Sequence, residues 1–252
     1  MKKVFKIVIA VFVILSFASF YIPLFGRPSR QQPPREEVTN KINMETITLT
    51  TNDNQKIIGD YYQGSKEKGV LLIHMMPSDR KSWEDFASNL NYETLAIDLR
   101  GHGESEGGPN GFENFTDEQH QNSILDVEIG VNFLESLGID KNNIVLIGAS
   151  IGANLALEYQ GKNPEIKKVA LLSPGLNYRG VTTKNWVESL KDDQSVFYAS
   201  SEDDGNNTIE NKELDEATKN SKLILYKSSG HGTNMFGKES PDLETEILNW
   251  IE

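Results

Sequence analysis

The fold of this chain is indicated most strongly by the stretch IVLIGASIGANLALEYQ, residues 144–160. Residues 144–147 form a short apolar run, typical of a buried strand in a parallel sheet, and residues 153–160 have a helical pattern. Between them lies GASIG, in which Ser150 stands between two glycines. The pattern G-x-S-x-G at a strand-to-helix turn is typical of a nucleophile elbow, which exposes a serine hydroxyl at the strand end. Ser150 is therefore the candidate nucleophile, and a serine that only caps the helix is the alternative interpretation.

Strands and helices alternate on both sides of this stretch. Alternating polar and apolar residues predict an antiparallel hairpin from strands at 45–51 and 56–62. Further strands are predicted at 70–74, 94–98, 169–172, 195–199 and 223–226, and helices at 83–90, 117–137 and 243–251. This alternation predicts an α/β fold, a mostly parallel, doubly wound sheet with helices on both faces. Binding residues are expected at the carboxyl ends of its strands.

Composition excludes several classes of function. The chain has 252 residues and no cysteine, which excludes disulfides, thiolate metal sites and a cysteine nucleophile. Its 25 basic and 37 acidic residues give a net charge of −12, so nucleic acid is not expected as a partner. The sequence has no motif for a phosphate-binding loop, a dinucleotide fold or a zinc protease helix, and we expect no metal and no cofactor.

The first 35 residues differ from the rest of the chain. They contain six basic residues and no acidic one, whereas the remainder has a net charge of −18. Residues 7–25 are uncharged and mostly apolar, and as a helix they would rise about 28 Å, enough to cross a bilayer core. Three lysines precede this run, as in a targeting segment. We expect residues 1–25 to be a signal anchor that spans the membrane, with a signal peptide cleaved near 16–18 as the alternative.

Both interpretations of the leader place the rest of the protein outside the cytoplasm, either anchored to the membrane or secreted. Residues 26–43 contain three prolines and scattered charges, a composition typical of an extended linker. The folded domain is therefore predicted to cover residues 44–252, a usual size for one domain.

A nucleophilic serine needs a base, and the order expected around such an elbow is serine, acid, histidine. Of the four histidines, only His231 follows Ser150, and it lies between two glycines just after the predicted strand at 223–226. The acid is expected after the strand at 195–199, where Glu202, Asp203 and Asp204 stand together. We favour Asp204, which precedes a Gly-Asn-Asn turn, with Asp203 as the alternative acid. Its role would be to orient His231 and stabilise the imidazolium.

A second motif points to a known family. Residues 98–105, DLRGHGES, resemble the D-x-R-G-H-G-x-S loop of the serine aminopeptidase and monoacylglycerol lipase-like branches of the α/β-hydrolase superfamily. With the elbow, the resemblance covers residues 44–252 and implies the α/β-hydrolase fold of a serine hydrolase. It also implies that His102 is structural.

The resemblance extends to the segment after the third strand, where His74-Met75-Met76-Pro77 is similar to the family's H-G-x-P loop. That loop implies an oxyanion hole formed by the backbone N–H groups of Met76 and Ile151. This chain carries Met75 where glycine is usual in the family. His74 is implied to be a packing residue.

Many relatives insert a helical cap between the strands at 169–172 and 195–199, but here only about 22 residues separate them. We therefore expect one short helix, at 184–190, and little or no cap over the cleft, with Tyr178, Trp186 and Met235 as candidate lining residues. The implied function is cleavage of a carboxylic ester, thioester or amide through an acyl-serine. Two alternatives stay open: an acyltransferase with the same residues, and a membrane-anchored, non-catalytic binding protein of the same fold.

Overall fold

The computed structural model describes residues 43–239 and 241–252. Its strands in chain order are β1 (Met44–Thr50), β2 (Lys56–Tyr62), β3 (Ser65–Ile73), β4 (Tyr92–Ile97), β5 (Ile144–Ala149), β6 (Lys168–Leu172), β7 (Asn177–Tyr178), β8 (Val181–Thr182), β9 (Ser195–Ser201) and β10 (Ser221–Tyr226). The α-helices are α1 (Glu84–Asn89), α2 (Asp117–Gln121), α3 (Ile124–Ser136), α4 (Ile151–Lys162), α5 (Lys184–Ser189), α6 (Asn207–Ala217) and α7 (Leu243–Ile251).

Eight of these strands form one sheet in the order β1-β2-β4-β3-β5-β6-β9-β10. The β1–β2 and β2–β4 pairs are antiparallel, and all pairs from β4 to β10 are parallel. The mostly parallel sheet and its N-terminal antiparallel hairpin are thus confirmed. Because parallel strands end at the same edge, the segments after β3, β4, β5, β6, β9 and β10 all begin at one rim of the sheet.

The central strands are buried on both faces, and successive side chains enter different cores. Leu71 and Ile73 of β3 belong to the apolar cluster that also contains side chains of α3, α4, α5 and α6. Val70 and Leu72 belong to the cluster on the other face, with side chains of α1 and α7. Helices therefore cover both faces, as the apolar strands predicted.

Three elements differ from the sequence-based prediction. The helix predicted over 117–137 is interrupted between α2 and α3, where Ser123, Leu125 and Asp126 donate backbone hydrogen bonds to the third residue before them, as in a 3-10 turn. The short β7–β8 hairpin and helix α6 were not predicted at all.

None of the helices within residues 43–239 and 241–252 is long and apolar enough to cross a membrane. The predicted anchor at residues 1–25 and most of the predicted linker lie outside the described residues.

Candidate active site

Ser150 stands on a sharp turn between β5 and α4. Its backbone has φ 54° and ψ −119°, outside the regions that side chains normally allow. Its N–H donates to the Leu172 carbonyl of the neighbouring strand at 2.8 Å, and its carbonyl accepts from the Ala153 N–H at 2.9 Å. These bonds on both sides hold the strained conformation, which is the geometry of a nucleophile elbow.

The two glycines of the elbow are required by close packing. A Cβ on Gly148 would overlap the backbone of Gly152, and a Cβ on Gly152 would overlap the carbonyls of Ile73 and His74 at the end of β3. Helix α4 can therefore begin directly against the strands only because both positions lack a side chain.

His231 and Asp204 are hydrogen-bonded to each other. Asp204 follows β9 and His231 follows β10, and the Asp204 carboxylate accepts a bond from His231 Nδ1 at 2.6 Å. Because Nδ1 carries the proton in this bond, Nε2 is left with a lone pair and can act as a base. Of the two candidate acids, the structure thus pairs Asp204 with the histidine.

Asp203 has a different set of partners. It accepts hydrogen bonds from the Ser201 hydroxyl at 2.5 Å and from the Gly230 N–H at 3.1 Å. These bonds, the one from Ser201 above all, lower the pKa of Asp203. The carboxylate therefore ties the loop before His231 to the end of β9 and does not contact the imidazole.

The loop that carries His231 is also fastened to β6. The Gly232 N–H donates to the Ser173 hydroxyl at 3.0 Å, and Ser173 is buried at the end of β6 with a φ of 51°. Sequence reasoning did not identify Ser173; its position directly after the apolar run at 169–172 was the available signal.

Tyr178 lies beside both Ser150 and His231. Its ring meets the imidazole edge to face, with 6.4 Å between centroids. Its hydroxyl donates to the Ser173 carbonyl at 3.2 Å and accepts from Asn207 Nδ2 at 3.1 Å. Among the described contacts, no hydrogen bond joins Ser150 to His231.

The other two predicted lining residues lie elsewhere. Trp186 packs on Gly161, in the last turn of α4, whereas Ser150 precedes the first turn of that helix. Met235 is buried in the core cluster on the α1 and α7 face. Only Tyr178 of the three adjoins the serine.

The predicted oxyanion loop is fixed by His74. Its Nε2 accepts from the Leu99 N–H at 2.9 Å, so its Nδ1 carries a proton and donates to the Met75 carbonyl at 2.9 Å. Complete burial lowers the pKa of His74 to about 4, which keeps the ring neutral. His74 therefore shapes this loop and takes no part in proton transfer at Ser150.

Two backbone N–H groups at the predicted oxyanion hole are available as hydrogen-bond donors. Ile151 is the first residue of α4, and its N–H has no partner within the helix. Within residues 43–239 and 241–252, neither this N–H nor that of Met76 donates a hydrogen bond. Met75 does not have a positive φ, so the methionine needs no glycine-like backbone, and its sulfur fills the space beside Gly232.

The loop after β4 is held by buried ion pairs. Asp98 is ion-paired with Arg80 and accepts bonds from the backbone N–H groups of Arg80 and Glu104, both at 2.8 Å. Arg100 forms an ion pair with buried Asp126 at 2.8 Å. Such pairs fix conformation because breaking one leaves a buried charge without a partner.

His102 is part of this packing. Its ring stacks on Phe112 with 4.2 Å between centroids, and Nδ1 bonds to the Arg100 carbonyl at 3.1 Å. Burial, with the neighbouring His74, lowers the pKa of His102 to about 3. The structure thus places His102 in a structural position, as the resemblance implied.

The connection from β6 to β9 contains no cap domain in the described chain. It holds the β7–β8 hairpin and α5, which packs against α4 and α6. The predicted short helix at 184–190 is observed as α5. The rim of the sheet above Ser150 is therefore not enclosed by a helical insertion.

Comparison with known proteins agrees with this fold. Residues 69–218 match the family model described as the alpha/beta hydrolase fold. No curated protein matches the chain.

Several solved structures share the architecture at low sequence identity. The Pyrococcus furiosus esterase Pf2001 is 19% identical, with a TM-score of 0.67, over 83% of this chain and 90% of that one. The acetyl xylan esterase from Paenibacillus sp. R4 is 17% identical, with a TM-score of 0.68, over 86% and 85%. The esterase RhEst1 from Rhodococcus sp. ECU1013 is 15% identical, with a TM-score of 0.65, over 82% and 98%.

The solved structures support the fold alone at these identities, whereas the family model covers more than half of the chain. The elbow at Ser150 and the sheet order are the features expected of that model's members. The chain therefore belongs to the alpha/beta hydrolase fold family.

Proposed function

We propose that this protein is a serine hydrolase that cleaves a carboxylic ester, thioester or amide through an acyl-serine intermediate. The observation that carries the proposal is the 2.6 Å bond between His231 and Asp204 at the same rim as the strained elbow of Ser150. A paired histidine and carboxylate at the same rim as a serine on a nucleophile elbow is the arrangement that activates a hydroxyl for acyl transfer.

In the proposed reaction the Ser150 oxygen attacks the substrate carbonyl carbon, and the serine proton passes to His231 Nε2. Asp204 stabilises the imidazolium that results. The free N–H groups of Met76 and Ile151 are the candidate donors to the tetrahedral oxyanion, where one donor contributes about 3 kcal/mol. His231 then gives its proton to the leaving group, and a water molecule activated by the same histidine releases the acid.

Covalent labelling tests the proposal directly. A small fluorophosphonate should label the wild-type protein at Ser150, and the substitution Ser150→Ala should abolish both labelling and hydrolysis of p-nitrophenyl esters. The exposed Ser88→Ala is the matched control, since Ser88 lies on α1 and bonds only to the Glu84 carbonyl. Labelling that persists in Ser150→Ala, or a folded wild-type protein that is never labelled, would contradict the proposal. Esters of varied acyl length, tested beside aminoacyl amides, would then define the substrate class.

We also propose that residues 1–25 attach this domain to the membrane, with the catalytic rim outside the cytoplasm. The support is the sequence pattern of three lysines followed by an uncharged apolar run. A chain that begins at residue 36 should leave the membrane fraction and keep the fluorophosphonate labelling rate of the full chain. Membrane association of the shortened chain would contradict the proposed attachment.

A further inference from the structure

Two adjacent residues at the end of β6 hold both the candidate nucleophile and the candidate base. The Leu172 carbonyl accepts the bond from the Ser150 N–H at 2.8 Å, and the hydroxyl of the next residue, Ser173, accepts a bond from the Gly232 N–H at 3.0 Å. Gly232 directly follows His231. The backbone of the elbow and the loop of the candidate base are therefore bonded to the same strand end.

The position of the Ser173 hydroxyl is fixed by the backbone that carries it. Ser173 is completely buried and has a φ of 51°. Its N–H donates to the Ala199 carbonyl of β9 at 2.7 Å, and its carbonyl accepts from the Tyr178 hydroxyl at 3.2 Å. The next carbonyl, that of Pro174, accepts from the Asn207 side chain at 2.7 Å. A non-glycine residue with a positive φ persists only where its surroundings enforce it, and these bonds do so.

The Gly232 N–H has no ready substitute for the Ser173 hydroxyl. Gly232 is buried, and a buried N–H that loses its acceptor is costly. The side chains that pack beside Gly232, those of Met75 and Ala149, contain no oxygen or nitrogen that could accept the bond instead. Without the hydroxyl, the loop would have to move to find another acceptor, and His231 would move with it.

We infer that Ser173 is a positioning residue, which fixes His231 relative to Ser150 by bonding the His231 loop to the strand end that also holds the elbow. This inference rests on the proposed function. Ser173 is completely buried, so it acts through the position of His231 and not through contact with a substrate. Its hydroxyl should therefore affect the rate of the chemical step and leave substrate binding unchanged.

The test is Ser173→Ala, measured by fluorophosphonate labelling and by ester hydrolysis. A displacement of about 1 Å in a reacting group can slow a reaction about a hundredfold, so the labelling rate constant should fall by a factor of about 10 to 100. For p-nitrophenyl esters, kcat should fall by a similar factor, whereas KM should stay within about twofold of the wild-type value.

The same labelling experiment separates a positioning role from a structural one. The amplitude of labelling counts the molecules with an assembled site, and the rate constant reports how well each site reacts. Misplacement of His231 should lower the rate constant at full amplitude, in a protein that is folded by circular dichroism. A low amplitude with a native rate constant would show that Ser173 serves stability alone, and would overturn the inference.

Ser105→Ala is the matched control. The buried Ser105 hydroxyl also accepts a backbone N–H bond, from Ile58 of β2 at 2.9 Å, and donates to the Asp98 carbonyl at 2.7 Å. Three strands, β4, β3 and β5, separate β2 from β6 in the sheet. This substitution should lower the melting temperature and leave the labelling rate constant unchanged. An equal loss of rate in Ser105→Ala would overturn the inference, since any buried hydroxyl would then have the same effect.

Ser173→Gly covers the case in which Ser173→Ala does not fold. Glycine also lacks the hydroxyl but adopts a positive φ without strain, so this variant should be at least as stable as Ser173→Ala and should label equally slowly. A native labelling rate constant in either folded variant would overturn the inference. A folded wild-type protein that is never labelled would instead overturn the proposed function, and the inference with it.

Discussion

The backbone strain described above lies at Ser150, the residue whose hydroxyl must reach a substrate. A non-glycine residue with a positive φ of this kind costs about 1–3 kcal/mol and persists only when its surroundings enforce it. The bonds from Ser150 to Leu172 and from Ala153 to Ser150 provide that constraint. The strain is therefore a feature of the candidate site, maintained by its bonds to the neighbouring strand and helix.

The roles of the two neighbouring acids can be separated by substitution. Asp204→Asn removes the charge that fixes the tautomer of His231 and should lower kcat about 10³- to 10⁴-fold. Asp203→Asn is the matched control, because an amide oxygen can still accept from the Gly230 N–H, and it should keep activity within about tenfold. The measurement is ester hydrolysis at saturating substrate. Equal effects of the two substitutions would show that Asp204 has no special role.

At the residue scale, the sequence identifies a site residue when only one residue of the required type lies in the required place. It cannot choose between adjacent residues of the same type. Ser150 is predictable because its G-x-S-x-G pattern follows an apolar strand and precedes a helical stretch, whereas the same pattern at 103–107 follows no such strand directly. His231 is predictable because it alone of the four histidines follows Ser150. Asp203 and Asp204 are adjacent acids in one turn, and the backbone of that turn decides which one reaches the imidazole. The contact of Tyr178 depends on the β7–β8 hairpin, which is too short to give a periodic signal.

Among the elements, the packing of α4 against β3 connects the elbow to the candidate oxyanion loop. Gly152 lies in the first turn of α4 and faces the carbonyls of Ile73 and His74. The same first turn carries the Ile151 N–H, and the segment after His74 carries the Met76 N–H. The spacing between the two candidate donors is therefore set by the distance between this helix and this strand.

Gly152→Ala should disturb both stability and reactivity. Its methyl group would overlap two backbone carbonyls, and overpacking of this kind costs about 1–3 kcal/mol of unfolding free energy. Displacement of α4 would also move the Ile151 N–H and slow fluorophosphonate labelling. Gly111→Ala is the control, since its nearest contact, the Gly101 Cα, lies at 3.4 Å. A Gly152→Ala protein with native melting temperature and native labelling rate would contradict this account.

The elements that a sequence predicts are those with strong local patterns. The apolar strands β3 to β6 and helix α4 were predictable because their residues are buried on both faces or follow the elbow. The interruption between α2 and α3 was not, because residues 117–129 contain neither glycine nor proline. Helix α6 has a mostly polar sequence, NTIENKELDEA, so its apolar stripe is too narrow to recognise.

Across the whole molecule, two buried neutral histidines make stability depend on pH. His74 and His102 have pKa values of about 4 and about 3 in the folded protein, below the value of about 6.5 expected for an unfolded chain. As the pH falls below 6.5, the unfolded chain takes up protons at these positions while the folded protein does not. The folded state therefore loses stability between pH 6.5 and the folded pKa values.

His102→Gln should reduce this dependence. When the pH falls from 6.5 to 4.5, a histidine that stays neutral in the folded protein lowers the free energy of unfolding by about 2 kcal/mol. Glutamine does not titrate and has no such effect. Urea unfolding at both pH values should show a loss about 2 kcal/mol smaller in the variant than in the wild type. Contributions from the carboxylates are common to both proteins and cancel in this difference. The same loss in both proteins would show that His102 is protonated in the folded state.

The outermost position of β10 in the sheet has a consequence for heat inactivation. This strand pairs only with β9, and the segment that follows it delivers the candidate base. If this edge strand frayed, the candidate base His231 would move away from the candidate nucleophile Ser150 while the other seven strands of the sheet stayed paired. Catalytic turnover should therefore vanish on warming before circular dichroism registers any melting, so an activity curve and a spectroscopic curve would report two different temperatures for the same protein.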